Sequence, residues 1–166
     1  MRIILAALTF LAIFSGAWLL ADPAREVYAQ TPAKQPLHCT IDTVSAVDFG
    51  SYDPDDRRDE TSSGRLVFTC HPSNRVTIQV NIGPSTVSGS IVDRRMRELG
   101  GNDELRYNLF QDRRGTVIWG DGHSGGSPAI ITGSKTFRVD IFGVMPANQE
   151  VSSGIYADAV RITILP

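Results

Sequence analysis

Gly120-Asp121-Gly122-His123-Ser124-Gly125-Gly126-Ser127 brings a serine, a histidine and an aspartate within four positions. Those are the residue types of serine-hydrolase chemistry. A working triad needs the base held by a carboxylate and aimed at the nucleophile. The other two histidines, His38 and His71, flank cysteines, and nothing places either near Ser124. A glycine-rich turn in a β-protein is the favoured reading. His38-Cys39 and Cys70-His71 offer four soft ligands, but neighbours on a strand point to opposite faces, so one ion cannot easily collect them. Asp53, Asp55, Asp56 and Asp121 could meet Ca²⁺, yet no spacing matches a calcium loop. Arg94-Arg95-Met96-Arg97 reads as a charged loop face rather than an anion site. Tyr107 and Trp119 read as core or rim aromatics. An exposed Trp119 would suit a carbohydrate.

The elements that must carry these residues are strands. Cys39, Ile41 and Thr43 share one face of a first strand, and Phe49–Pro54 reads as a short strand entering a turn. Leu66, Phe68 and Cys70 alternate with Arg65, Val67 and Thr69. After the turn His71–Asn74, Val76, Ile78, Val80 and Ile82 alternate again, which predicts a hairpin. Gly83–Gly101 reads as a long mixed loop. Leu105, Tyr107 and Leu109 mark the next strand, Thr116–Trp119 a short return strand, and Ala129–Thr132 another. Phe137, Val139 and Ile141 follow. In the last stretch, Gly154–Pro166, Tyr156, Asp158, Val160, Ile162 and Ile164 share one face. No partner strand follows Pro166, so the edge is expected to pair with something else. Outside the N-terminal segment no 3.6-residue apolar period is sustained, and the pattern predicts an antiparallel β-sandwich.

The chain has 166 residues and a formal charge of −2, a balance that gives no indication of nucleic-acid binding. An apolar fraction of 42 % with 20 % charged residues is that of an ordinary globular chain, and the length suits one domain. Arg2 precedes nineteen uncharged residues, Ile3–Ala21, and then Val27-Tyr28-Ala29, a small-residue cleavage pattern. A secretory signal peptide, residues 1–29, is expected. The alternative is an uncleaved anchor, since the apolar run is about long enough to span a bilayer. Cleavage after Ala29 removes two basic and two acidic residues and leaves the charge at −2. In an exported protein the pair Cys39 and Cys70 reads as a disulfide.

Several spacings form an ordered set: Cys39, then Phe49-Gly50-x-Tyr52; Gly64 six residues before Cys70; Ile82-Gly83; Arg94-x-Met96; Leu105-x-Tyr107-x-Leu109-Phe110-x-Asp112; Trp119-Gly120-Asp121-Gly122; Phe142-Gly143; and Gly154-x-Tyr156-x-Asp158. Over residues 38 to 165 this set resembles the spore coat protein U domain family, which includes pilins of the archaic chaperone–usher pathway. The resemblance implies an immunoglobulin-like sandwich lacking its final strand. A periplasmic chaperone would fill the vacancy first. In a fibre delivered by an outer-membrane usher, the N-terminal extension of the next pilin subunit would replace it, a form of β-strand addition. One departure stands out. Residues 30–37 offer only Ala33 and Leu37 as apolar donors, whereas cleavage nearer Ala21 would add Val27 and Ala29 in phase with Ala33.

The expectation is therefore an all-β protein: signal peptide 1–29, extension 30–37 and a sandwich domain 38–166. Its function is structural and non-enzymatic, in a surface pilus or coat serving adhesion or biofilm formation, without metal or cofactor. After signal cleavage it has no membrane contact; it passes through the periplasm to the cell surface. The groove that takes the chaperone or donor strand is expected at Tyr156, Val160, Ile162 and Ile164. A second reading, from another class, is a stand-alone secreted module that binds a glycan through Gly120–Pro128 or Trp119.

Overall fold

A computed structural model describes residues 35–166. The expected signal peptide and residues 30–34 of the extension lie outside the described residues. Nine strands follow: β1 (His38–Ser45), β2 (Glu60–His71), β3 (Arg75–Ser85), β4 (Arg94–Glu98), β5 (Glu104–Phe110), β6 (Ala129–Ser134), β7 (Thr136–Met145), β8 (Tyr156–Ala157) and β9 (Val160–Leu165). They form a six-stranded sheet in the order β1-β2-β7-β5-β4-β8 and a three-stranded sheet in the order β6-β3-β9, with every pairing antiparallel. This is the expected all-β sandwich.

Alternation explains the core. Leu66, Phe68 and Cys70 of β2 and Ile78, Val80 and Ile82 of β3 are at most 1 % exposed. Leu105 and Leu109 of β5 and Phe137, Ile141 and Met145 of β7 complete the buried layer. Phe68 and Phe137 are opposed in register and stack with ring centroids 4.9 Å apart. Such a fully enclosed apolar row contributes about 1.5–3 kcal/mol per large side chain.

Five local expectations are corrected. β2 and β3 are not a hairpin: β2 lies in the large sheet, β3 in the small one, and their apolar rows face each other across the core. Gly83–Gly101 is not a long loop, because β3 runs to Ser85 and β4 occupies Arg94–Glu98. Phe49–Tyr52 has no strand, and Thr116–Trp119 makes only the isolated bridges Phe110↔Ile118 and Trp119↔Ser127. The final stretch is not one strand: β8 pairs with β4 and β9 with β3, so the chain changes sheet at Asp158-Ala159.

Candidate functional site, a groove between two open edges

Among the described residues β1 pairs only with β2, and β9 only with β3. Each therefore leaves one edge with unpaired backbone groups. Between them lies a cavity of about 210 Å³. Val44 and Val47 bound it on the β1 side, Val160 and Ile162 on the β9 side, and Ile82, Leu109 and Ile141 of the core form its floor. A second cavity of about 550 Å³ shares Val47, Phe49 and Met96 with the first and runs on to Val151–Tyr156. Together they make a long groove that opens onto the core.

The irregular segment after β1 helps to shape it. A Cβ on Gly143 of β7 would stand 2.5 Å from Val47 Cγ1 and 2.7 Å from Phe49 Cζ. Only a glycine there lets Val47 and Phe49 settle on the inner face of the large sheet. Phe49 then packs edge-on against Tyr107, centroids 6.0 Å apart.

Burial shows what is missing. Ile82 on β3 is fully buried, yet its register partner Ile162 on β9 is only half-buried, as are Val160 and Ile164. Val160 and Ile162 line the smaller cavity and Tyr156 the larger one. Ile164 packs on the core but lines neither. Tyr156 stands apart from the other three because it belongs to the large sheet; its hydroxyl donates to Ser152 O at 2.8 Å.

Polar groups that alternation did not single out join them. Asp158 lines the smaller cavity beside Tyr107. Its Oδ1 accepts from Thr86 N (3.0 Å) and Thr86 Oγ1 (2.7 Å), and its Oδ2 from Tyr107 Oη (2.7 Å). Burial pushes this carboxyl up, but the hydrogen bonds from Tyr107 and Thr86 prevail and hold it below the usual carboxylate range. Burial, then the bond to Asp158 and its charge, drive the Tyr107 phenol far above its ordinary value. The signal was present in the sequence: Asp158 is a charged residue on an otherwise inward-facing apolar row.

Arg94 also overturns its expectation. It is fully buried on β4, not part of a loop face. Its guanidinium donates to Ile82 O (3.1 Å), Gly83 O (2.8 Å), Trp119 O (2.8 Å) and Asn108 Oδ1 (2.6 Å). Burial lowers its pKa, opposed by the nearby Tyr107, Asp158 and Asp121. Arg95 and Arg97 point the other way and pair with Glu104.

The remaining candidates disperse. Trp119 is 1 % exposed and donates Nε1 to Val80 O at 2.8 Å, so it cannot meet a glycan. Asp121 Oδ1 accepts from the backbone amides of His123 (2.8 Å) and Ser124 (2.7 Å), which lowers its pKa and closes a turn. Asp56 pairs with Arg58. Cys39 and Cys70 are opposed across β1 and β2 and joined by a disulfide. Among the described residues no group of three or more His, Cys, Asp or Glu side chains could hold a metal ion.

Comparison with known proteins agrees with this architecture. The chain is 31 % identical over 126 residues to Protein U of Myxococcus xanthus, covering 71 % of this chain and 70 % of that one. A chain of the CsuC–CsuE chaperone–tip adhesion subunit pre-assembly complex, from the archaic chaperone-usher Csu pili of Acinetobacter baumannii, superposes with a TM-score of 0.53 at 17 % identity. That match covers 78 % of this chain but 40 % of the other, and it speaks for the shared fold. The family model of the Spore Coat Protein U domain matches residues 25–163. With the sandwich, the cross-strand disulfide and that match together, the chain belongs to the Spore Coat Protein U domain family.

Proposed function

We propose that the protein is a non-enzymatic structural subunit of a surface pilus or coat, and that its groove accepts an extended apolar strand from another polypeptide. The observation that carries this is the pairing of two open edges, β1 and β9, over an exposed strip of core. A strand laid there would satisfy backbone groups on β9 and cover Val160 and Ile162. About four apolar donor side chains would contribute on the order of 6–12 kcal/mol before ordering costs. A periplasmic chaperone supplies the strand during export, and a neighbouring subunit supplies it in the assembly delivered by an outer-membrane usher. The disulfide suits the oxidising compartments along that route. Adhesion or biofilm formation is the role such an assembly would serve.

An alternating apolar peptide fused after Pro166 through a short flexible linker tests the idea. Its effective concentration at the groove is roughly millimolar. The fused protein should be a soluble monomer with a much higher melting temperature than the unfused one, and Ile162→Asp should undo the gain. A protein that is already a stable monomer, and indifferent to the peptide, would show that the groove takes no strand.

A further inference from the structure

The groove beside β9 is lined mostly by apolar side chains and holds one charged group. Val44, Val47, Ile82, Leu109, Val160 and Ile162 meet at its walls and floor, and Asp158 stands among them. Tyr107 is there too, but its hydroxyl already donates to Asp158. The carboxylate accepts three hydrogen bonds, two on Oδ1 and one on Oδ2. A carboxylate has about four acceptor positions, so one on Oδ2 is left. With the groove open, solvent can serve it. A strand that fills the groove expels that solvent, and an acceptor of an ionised group then loses its partner unless the strand brings a donor.

We propose that Asp158 sets the register of the incoming strand by requiring a hydroxyl opposite it, and that, where the N-terminal extension of a second copy of this chain is that strand, Thr31 of residues 27–33 is the hydroxyl that meets Asp158. The inference rests on the strand-acceptor role above and names its occupant. In an extended strand Val27, Ala29, Thr31 and Ala33 share one face, a row of apolar side chains with one hydroxyl in it. Their small volumes suit a cavity of about 210 Å³. A slip by two residues keeps that row facing inward and changes little apolar contact. It does place a methyl group on Asp158. A single polar pair in an apolar seam therefore separates registers that packing leaves nearly equal. Pro32 falls in the other phase, so its ring stays out of the inward-facing row. The family match begins at residue 25, so it takes in this segment. Signal cleavage must then precede Val27.

The test uses the full chain with residues 25–35 repeated after Pro166 through a flexible linker, compared by thermal unfolding. The native repeat should raise the melting temperature. Thr31→Val in the repeat alone should lower it by about 3–5 °C although it adds an apolar group. Moving the hydroxyl, with Ala29→Thr and Thr31→Ala in the repeat, should lower it similarly. With Asp158→Leu in the body the order should reverse, the valine repeat becoming the more stable. Should that body fail to fold, Asp158→Asn serves, and the penalty for valine should shrink. A valine repeat equal to or better than the native one on the unaltered body overturns the role of Asp158. If a generic apolar peptide stabilises the protein and the 25–35 repeat does not, the occupant is wrong while the groove stands. If neither stabilises, the strand-acceptor role fails and this inference with it. N-terminal sequencing of the exported protein that starts beyond Val27 also excludes this occupant.

Discussion

Arg94 is the residue on which two sheets meet. It sits on β4 of the large sheet, and three of its carbonyl partners are Ile82 and Gly83 of β3 and Trp119. A buried cation is costly unless its donors are satisfied, and here carbonyl oxygens and the Asn108 amide satisfy them. Arg94→Met should therefore cost about 3–5 kcal/mol by urea unfolding, because those oxygens lose their donor. Arg94→Lys should recover only part, since an ammonium lacks the planar fork that reaches four acceptors. A Met variant as stable as the parent would mean water replaces the guanidinium. Asp158 yields a pH prediction. Its folded pKa is depressed below an unfolded value of about 3.9, so its contribution is present above that value and is lost as pH falls through the folded pKa. The groups facing it are Tyr107, Thr86 and, further off, Arg94. Between about pH 5 and pH 3 the urea midpoint of the parent should drop more than that of Asp158→Asn. Asp103, Glu104, Asp112 and Asp121 are depressed as well, so part of the drop should survive the substitution. Parallel acid limbs would remove Asp158 from the account.

At the scale of the element, β1 is held by little burial. Seven of its eight residues are exposed and only Cys39 is half-buried. Val44 and Ile41 remain 51 % and 42 % exposed. What pins it is the β2 ladder and the disulfide, which closes a separation of 31 residues. In the chain-entropy model that loop is worth on the order of 3–4 kcal/mol. Replacing Cys39 and Cys70 with alanine should remove about that much by chemical denaturation. Hydrogen exchange should also quicken along β1 before it does along β3, whose row is enclosed. Uniform loss of protection would show that the bond stabilises the sandwich evenly rather than this edge. Because the end of β1 bounds the groove, the same variant should bind a fused donor strand less well.

At the scale of the whole molecule, the described residues form two sheets whose edges at β1 and β9 are left open, so stability is tied to what arrives there. If a second copy supplies the strand, exported protein should form oligomers that survive mild denaturant. Removing every residue up to Ala33 that the exported chain retains should convert them to monomers of lower melting temperature, by light scattering and thermal unfolding. Oligomers that persist after the deletion would place the intersubunit contact elsewhere. The fused-strand protein should remain monomeric throughout, since its groove is already occupied.

Much of the fold was legible in residue order because side chains on a strand alternate with period two. Alternation correctly named the inward residues of β2, β3, β5 and β7, and it put Val160, Ile162 and Ile164 on the half-covered face of β9. The paired cysteines in an export context named the disulfide. What alternation cannot carry is sheet membership. An inward row reads the same whichever sheet it belongs to, so β2 and β3 looked like neighbours although they face each other. Tyr156 and Ile162 likewise looked like one strand although the chain changes sheet between them. The Phe49 segment went unrecognised because its place depends on the missing Cβ of Gly143, far away in sequence. Arg94 was hidden for a related reason. An arginine looks like surface until carbonyls from β3 and Trp119, 11 to 25 residues distant, are brought around it. Local order thus determined which way the residues of the alternating rows face; only the long-range pairing of strands decided what they face, and with that where the groove lies.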